Sequence, residues 1–179
     1  MPASNSDTDS GVTSAAGAFA DVSEGNRHFA ASFTAASLTG YAARGLAIVT
    51  CMDSRIEPLK AVGLSAGDAK ILRNAGARVT DDVLRTLILA THLLGVTRIL
   101  VMPHTDCRMV GRREADVHAE ILAASGVDTR SAEIRTVTDQ ELALREDVER
   151  VRAYPLLAAG VTVAGAVYDV RTGNLQFIA

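Results

Sequence analysis

Two short segments of the chain carry side chains that suit metal chemistry. Cys51-Met52-Asp53-Ser54-Arg55 and His104-Thr105-Asp106-Cys107 each directly follow an apolar run, and they contain the only two cysteines of the 179 residues. Two thiolates and one imidazole suit zinc, and three protein ligands leave the fourth tetrahedral position open for water or substrate. The residue types therefore predict a catalytic Zn²⁺ site, with one ion per chain, formed by Cys51, His104 and Cys107.

A disulfide between Cys51 and Cys107 is the main structural alternative to metal binding. With only two cysteines in a chain that shows no secretion signal, metal binding or reactivity is more typical than a disulfide framework. The histidine three residues before Cys107 fits a single turn that brings both side chains around one ion. This spacing favours the metal site.

The hydrophobic pattern predicts the elements that must position these segments. Apolar runs of strand length alternate with helical segments, which is the pattern of a mostly parallel β-sheet flanked by helices, an α/β fold. The predicted helices are 18–33, 80–94, 114–124 and 139–153, and the predicted strands are 46–52, 69–73, 98–103, 161–170 and 175–178. A turn over 171–174 joins the last two strands into a C-terminal antiparallel hairpin.

Both chemically distinctive segments follow predicted strands. In parallel sheets, ligands bind beyond the carboxyl ends of strands, where neighbouring connections diverge to opposite faces. Two strands that are distant in sequence would thus deliver Cys51 and the pair His104 and Cys107 to one point.

Length and composition narrow the possible functions. The length predicts a single domain over 18–179, preceded by a disordered tail over 1–17 that is rich in Ser, Ala, Asp and Gly. The net charge of −3 and the scattered basic residues give no electrostatic basis for binding nucleic acid or an anionic membrane. No apolar run approaches the ~20 residues that span a bilayer, and the N-terminus lacks a signal-peptide pattern, so we expect a cytoplasmic protein.

The paired segments resemble the zinc signature of the β-class carbonic anhydrases. Arg73-Asn74-Ala75-Gly76 is similar to the segment that follows the second strand in that family. The resemblance runs from about Ala47 to Met109 and resumes over the terminal hairpin, and the length is that of a compact member.

The resemblance implies a role for each matching residue. Cys51, His104 and Cys107 would bind Zn²⁺, and Asp53 and Arg55 would form the catalytic pair beside it. The implied reaction is the reversible hydration of carbon dioxide to bicarbonate and a proton, with zinc making water a nucleophile near neutral pH. Asp53 would accept a hydrogen bond from the nucleophile, while Arg55 keeps that carboxylate charged and oriented.

The resemblance also bears on assembly and on regulation. It implies a homodimer or a homotetramer, with the zinc cleft at the subunit boundary and the N-terminal helix packed on the neighbour. In some family members the matching aspartate binds zinc and closes the site, and this form is associated with a bicarbonate pocket that includes a tryptophan. Because this chain contains no tryptophan, we expect Asp53 to leave the site open at neutral pH.

The chain departs from the family pattern directly after Cys107, where Arg108 replaces the usual glycine. A glycine there would serve unusual backbone angles or space near the metal, whereas Arg108 would narrow access, pair with an acidic neighbour such as Asp106, or attract bicarbonate. Two alternatives to carbonic anhydrase therefore stay open. One is a zinc hydrolase of carbon disulfide or carbonyl sulfide, and the other is a noncatalytic zinc-binding assembly protein, which only Arg108 supports.

Overall fold

A computed structural model describes residues 17–179 of the chain, which divides into two compact units between Leu38 and Thr39. Residues 1–16, which make up nearly all of the predicted tail, lie outside the described residues, and the single domain predicted over 18–179 stays a prediction. In the first unit, helix α1 (Ala20–Ala31) lies within the predicted helix 18–33, and none of its residues is buried.

The second unit is an α/β sheet structure, as predicted. Its strands are β1 (Leu46–Cys51), β2 (Ala69–Asn74), β3 (Arg98–Met102), β4 (Thr162–Tyr168) and β5 (Leu175–Phe177). Its helices are α2 (Pro58–Ala61), α3 (Asp81–Leu93), α4 (Glu114–Ser125) and α5 (Gln140–Arg152), with a 3₁₀ turn at Ala75–Ala77. The four-residue helix α2 and the 3₁₀ turn were not predicted, because segments this short show no helical periodicity.

The five strands form one sheet in the order β2-β1-β3-β4-β5. The first four strands in this order are parallel, and β5 is antiparallel to β4, which confirms the predicted terminal hairpin. Thr50 of β1 is aligned with Arg73 of β2 on one side and with Met102 of β3 on the other. The three strands therefore end at the same level, and their carboxyl ends share one edge of the sheet.

The two faces of the sheet build separate parts of the core. Val49, Val101 and Val163 pack on one face with apolar residues of α3 and α5. Ile48 and Leu100 point to the opposite face, in a cluster that also contains Cys51, Ile56, Met102 and Cys107. Because successive side chains of a strand alternate between faces, burial on both faces explains why the strands are continuously apolar.

Helix α3 begins and ends as the sequence predicts. The Thr80 hydroxyl accepts a hydrogen bond from Val83 N at 3.3 Å, and Gly95, at a φ of 75°, follows the last turn. Its buried side includes the predicted Val83, Leu84 and Leu87, while the predicted Ile88 and Leu94 are only half-buried. Within residues 17–179, no helix has both the length and the apolar character that crossing a membrane requires.

Gly165 allows α5 to pack closely on β4, and this contact generates a prediction about stability. A Cβ atom at this buried position would lie 2.9 Å from Val148 Cγ2 and 3.0 Å from Leu144 Cδ1. We expect Gly165→Val to lower the free energy of unfolding by about 1–3 kcal/mol, because the added atoms overpack the helix–strand contact. Chemical denaturation measures this change.

Gly40→Val is the matched control, because a Cβ atom at Gly40 meets nothing within 4 Å. We expect its free energy of unfolding to stay within about 0.5 kcal/mol of the unmodified protein. Equal stability of the two variants would contradict the packing argument.

Candidate metal centre

The structure brings the three predicted metal ligands together at the carboxyl edge of the sheet. Cys51 is the last residue of β1, while His104 and Cys107 follow the end of β3. The two sulfur atoms and a ring nitrogen of His104 all lie within 4.8 Å of one another, and all three residues are buried. These three side chains can therefore hold a metal ion.

His104 presents one ring nitrogen to the cluster. Its Nδ1 lies 2.8 Å from the Thr105 carbonyl oxygen, a contact that places the ring proton on Nδ1 and leaves the Nε2 lone pair free. Nε2 is buried and has no hydrogen-bond partner among the described residues. A buried polar atom without a partner is costly, and a metal ion would satisfy it. The chemistry of the donor set fits Zn²⁺.

Neither Cys51 nor Cys107 forms a disulfide, and the pKa values of the two thiols are shifted in opposite directions. A hydrogen bond from the Cys107 thiol lowers the pKa of Cys51 to about 3, and the same contact, together with burial, raises the pKa of Cys107. Gly76 N also donates to Cys51 Sγ at 3.4 Å. Both contacts favour the thiolate form of Cys51, which is the form that binds metals.

Gly76 can make this contact because it has no side chain. Its φ is 80°, a left-handed conformation that favours glycine, and a Cβ atom there would lie 3.3 Å from Met109 Cβ. The presence of glycine at the end of the 73–76 segment is therefore explained locally: it lets a backbone N–H lie close to a ligand sulfur.

Asp53 and Arg55 form a hydrogen-bonded ion pair beside the cluster. Asp53 Oδ1 accepts from Arg55 N at 2.9 Å and from Arg55 Nε at 3.0 Å, and Asp53 Oδ2 accepts from Nη2 at 2.8 Å. These hydrogen bonds hold the pKa of Asp53 below its usual range. Asp53 Oδ2 lies 3.8 Å from His104 Nε2, so the ionised carboxylate borders the ligand atoms.

Arg73 fixes the segment between Cys51 and Ile56, a role that the sequence analysis missed. Its guanidinium donates to the carbonyl oxygens of Cys51 at 2.9 Å, Asp53 at 2.6 Å and Ile56 at 3.3 Å. The available signal was its position in the segment that resembles the family. Hydrogen bonds to backbone carbonyls cannot be predicted from residue types, because every residue has a carbonyl oxygen.

The loop that carries His104 is anchored to β4 and α5. His104 forms a parallel bridge with Tyr168, and Thr105 N donates to the Tyr168 carbonyl at 2.9 Å. Gln140, the first residue of α5, donates from Nε2 to the His104 carbonyl at 2.8 Å. These contacts fix the backbone of the ligand without occupying its ring.

The structure shows no conformational need for glycine at position 108, where this chain has arginine. Among the described residues, the non-glycine residues with positive φ are Ala77, Asp106 and Arg135, so the backbone at Arg108 does not require glycine. Arg108 Nη2 donates to Glu120 Oε1 at 2.9 Å on α4. Arg108 thus pairs with an acidic residue, as considered above, but the partner is Glu120; the example given, Asp106, is wrong, because Asp106 Oδ2 accepts from Arg55 Nη1 at 2.9 Å.

Comparisons with known proteins agree with this site. A sequence model of the carbonic anhydrase family matches residues 46–175. Beta-carbonic anhydrase 1 of Mycobacterium tuberculosis is 36% identical over 132 residues, which cover 73% of this chain and 80% of that protein.

Two further comparisons bear on fold and substrate. Carbon disulfide hydrolase of Saccharolobus solfataricus is 32% identical over 158 residues, covering 74% of this chain and 76% of that protein. The crystal structure of carbonic anhydrase from Streptococcus mutans matches with a TM-score of 0.84 and 37% identity, covering 90% of this chain and 97% of that one. The buried Cys-His-Cys cluster, the sheet that positions it and these similarities lead to one conclusion: the chain belongs to the β-class carbonic anhydrase family.

Proposed function

We propose that this protein catalyses the reversible hydration of carbon dioxide to bicarbonate and a proton, with one Zn²⁺ per chain bound by Cys51, His104 and Cys107. The observation that carries the proposal is the meeting of three buried ligand atoms with a carboxylate that Arg55 orients. A family relative named as a beta-carbonic anhydrase, 36% identical to this chain, supports the same reaction.

The ligand set and its surroundings prepare the site for the metal. When bound, zinc supplies the Lewis acidity that makes water a nucleophile near neutral pH. His104 offers Nε2 because Thr105 fixes the proton on Nδ1, and the Gly76 N–H stabilises negative charge on Cys51. Burial of all three side chains keeps bulk water away from the ligand atoms.

Asp53 orients the attacking water. Oδ1 already accepts two hydrogen bonds from Arg55, whereas Oδ2 accepts one and faces His104 Nε2. Oδ2 therefore keeps a lone pair on the side of the ligand atoms, and this oxygen accepts a hydrogen bond that the water donates. Since Arg55 lowers the pKa of Asp53, the carboxylate acts as an acceptor alone at neutral pH, which directs an oxygen lone pair of the water to the substrate.

The same ion pair favours an open site. Movement of Asp53 onto the metal would break its side-chain hydrogen bonds to Arg55 Nε and Nη2. This cost supports the expectation, drawn from the absence of tryptophan, that Asp53 is not a zinc ligand at neutral pH.

Carbon disulfide is the second candidate substrate, because a carbon disulfide hydrolase is 32% identical to this chain. Carbon dioxide is favoured by the higher identity to the mycobacterial relative and by the TM-score of 0.84 to the streptococcal carbonic anhydrase. Stopped-flow measurement of carbon dioxide hydration, alongside release of hydrogen sulfide from carbon disulfide, separates the two substrates. Catalysed sulfide release without carbon dioxide hydration would exclude the proposed reaction.

The alternative of a noncatalytic zinc-binding assembly protein depended on Arg108, and the contacts of Arg108 do not support it. The Arg108 side chain is 84% exposed and bonds to Glu120 on α4. Among the described residues it forms no hydrogen bond with the three ligand side chains, so its contacts give no specific support for loss of turnover.

We also propose that the protein assembles as a homodimer or homotetramer. Helix α1 has no buried residue, and Phe19, Val22, Phe29 and Phe33 in and next to it are exposed. The second unit has a largely apolar cavity of about 570 Å³ on the sheet face opposite α3 and α5, which Leu46, Leu100, Leu175 and Phe177 help to line. A second copy of the chain would cover both apolar surfaces.

The first prediction from this proposal concerns metal content. We expect purified protein to hold about one zinc per chain and Cys107→Ser to lose most of it, because serine is a poor ligand for a borderline-soft ion. Elemental analysis after dialysis measures the content. His118→Gln is the control, because His118 is buried but its Nδ1 bonds to Thr129 Oγ1 instead of facing the cluster. Full zinc retention in both Cys51→Ser and Cys107→Ser would exclude the site.

The second prediction separates chemistry from metal binding. Asp53→Asn preserves size but removes the charge, so it should keep zinc and lose about 10²-fold or more in hydration rate, as expected for a strong oriented hydrogen bond. Stopped-flow kinetics with parallel zinc analysis measures both effects.

Asp128→Asn is the matched control for Asp53→Asn. Asp128 pairs with Arg130 two residues ahead, in the same pattern of hydrogen bonds as Asp53 and Arg55, but it is not part of the metal cluster. We expect this variant to have unchanged activity. A zinc-loaded Asp53→Asn protein with full turnover would refute the assigned role.

The third prediction concerns assembly. Light scattering should give a mass that is two or four times the 18.8 kDa of one chain, and Phe29→Glu should shift the protein to smaller species, because a charge in an apolar contact is costly to bury. Val127→Glu, at another exposed apolar residue, should not. A monomeric, fully active protein would contradict the proposed assembly.

A further inference from the structure

Arg55 contacts both segments that carry the metal ligands. In addition to its bonds with Asp53, it donates from Nη1 to Asp106 Oδ2 at 2.9 Å and from Nη2 to the Asp106 carbonyl at 3.2 Å. Asp106 lies between His104 and Cys107 in the sequence. The guanidinium therefore joins the segment after β1 to the segment after β3, at the point where each carries its ligands.

A second Asp-Arg pair of the chain shows what Asp106 adds. Asp128 and Arg130 have the same spacing as Asp53 and Arg55, and Arg130 donates from N, Nε and Nη2 to the Asp128 carboxylate. Within residues 17–179, the Arg130 guanidinium has no bonds other than those to Asp128. The local Asp-Arg pairing therefore forms at Asp128 without a second acceptor for the guanidinium. The distinguishing feature of Arg55 is the carboxylate that holds its other end.

The backbone of Asp106 also sets it apart. Its φ is 58°, in the left-handed region, which glycine adopts more readily than any residue with a Cβ atom. Aspartate tolerates this conformation better than most side chains. This turn directs the Asp106 carboxylate toward Arg55, while the flanking His104 and Cys107 side chains face the metal cluster.

We propose that Asp106 is a positioning residue that holds Arg55, and through Arg55 the Asp53 carboxylate, in place beside the metal ligands. This inference rests on the proposed function, because it assigns Asp106 a task in that reaction. A pair held only by Asp53 could swing as a unit on its exposed loop. Because Asp53 and Asp106 bind opposite ends of the planar Arg55 guanidinium, Asp53 Oδ2 stays close to His104 Nε2.

The test compares zinc-loaded unmodified protein with Asp106→Gly, which suits the left-handed backbone and removes the carboxylate. NMR of the isotope-labelled guanidinium nitrogens should show separate Arg55 Nη1 and Nη2 signals in the unmodified protein, since bonds at both ends hinder rotation. In Asp106→Gly these two signals should merge. The signals of Arg130 should be the same in both proteins, and Arg55→Lys identifies the Arg55 signals by their loss.

Kinetics of the same proteins should show that kcat/KM for carbon dioxide falls about 3- to 10-fold in Asp106→Gly at unchanged zinc content, the scale expected for a partly exposed ion pair that orients a catalytic group. Asp106→Asn should recover most of this loss, because its side-chain oxygen can still accept from Arg55 Nη1 and its backbone also tolerates the turn.

Three results would overturn the positioning role: Arg55 signals that stay separate in Asp106→Gly, merged signals with unchanged kcat/KM, or a fall in kcat/KM that only follows zinc loss. Failure of the proposed function is distinguishable from these results. The unmodified, zinc-loaded protein would then hydrate no carbon dioxide, while the NMR comparison would still report whether Asp106 holds Arg55.

Discussion

The parallel pairing of β1 with β3 is the constraint on which the metal centre depends. The register aligns Thr50 with Met102, and the Thr50 hydroxyl donates to the Met102 carbonyl at 2.8 Å in the buried sheet. Each residue of a strand advances the chain by about 3.3 Å, so a slip of one position would carry Cys51 out of reach of His104 and Cys107. The slip would also turn Ile48 and Val49 to the wrong faces, and the two core clusters therefore fix the register.

Positive groups and backbone donors make the negative charge at this edge tolerable. Arg73 binds the backbone around Cys51, Gly76 N donates to the sulfur, and Arg55 neutralises Asp53. Each donor is directed at a different atom, and His104 Nε2 is left without a partner among the described residues. This division of contacts leaves the ligand atoms close to one another, in an arrangement that can hold a cation.

The sequence predicts the parts of this arrangement that depend on local pattern. The continuous apolar character of β1 and β3 predicts buried strands. The Thr80 cap and Gly95 predict where α3 begins and ends. The residue types of Cys51, His104 and Cys107 predict the metal chemistry. It does not predict contacts between distant side chains and backbone. Arg73 and Gln140 act on carbonyl oxygens, which every residue has, and Arg108 finds Glu120 only because α4 folds beside it. Strand order likewise depends on how the connections cross, which hydrophobic pattern does not encode.

The most direct test of the account is the rate of carbon dioxide hydration measured as zinc is added to metal-free protein. If all of the activity depends on one zinc site per chain, the rate should rise in proportion to bound zinc and level off at about one ion per chain. A folded protein that binds this zinc and does not accelerate hydration would contradict the central claim. So would full activity before any zinc is added.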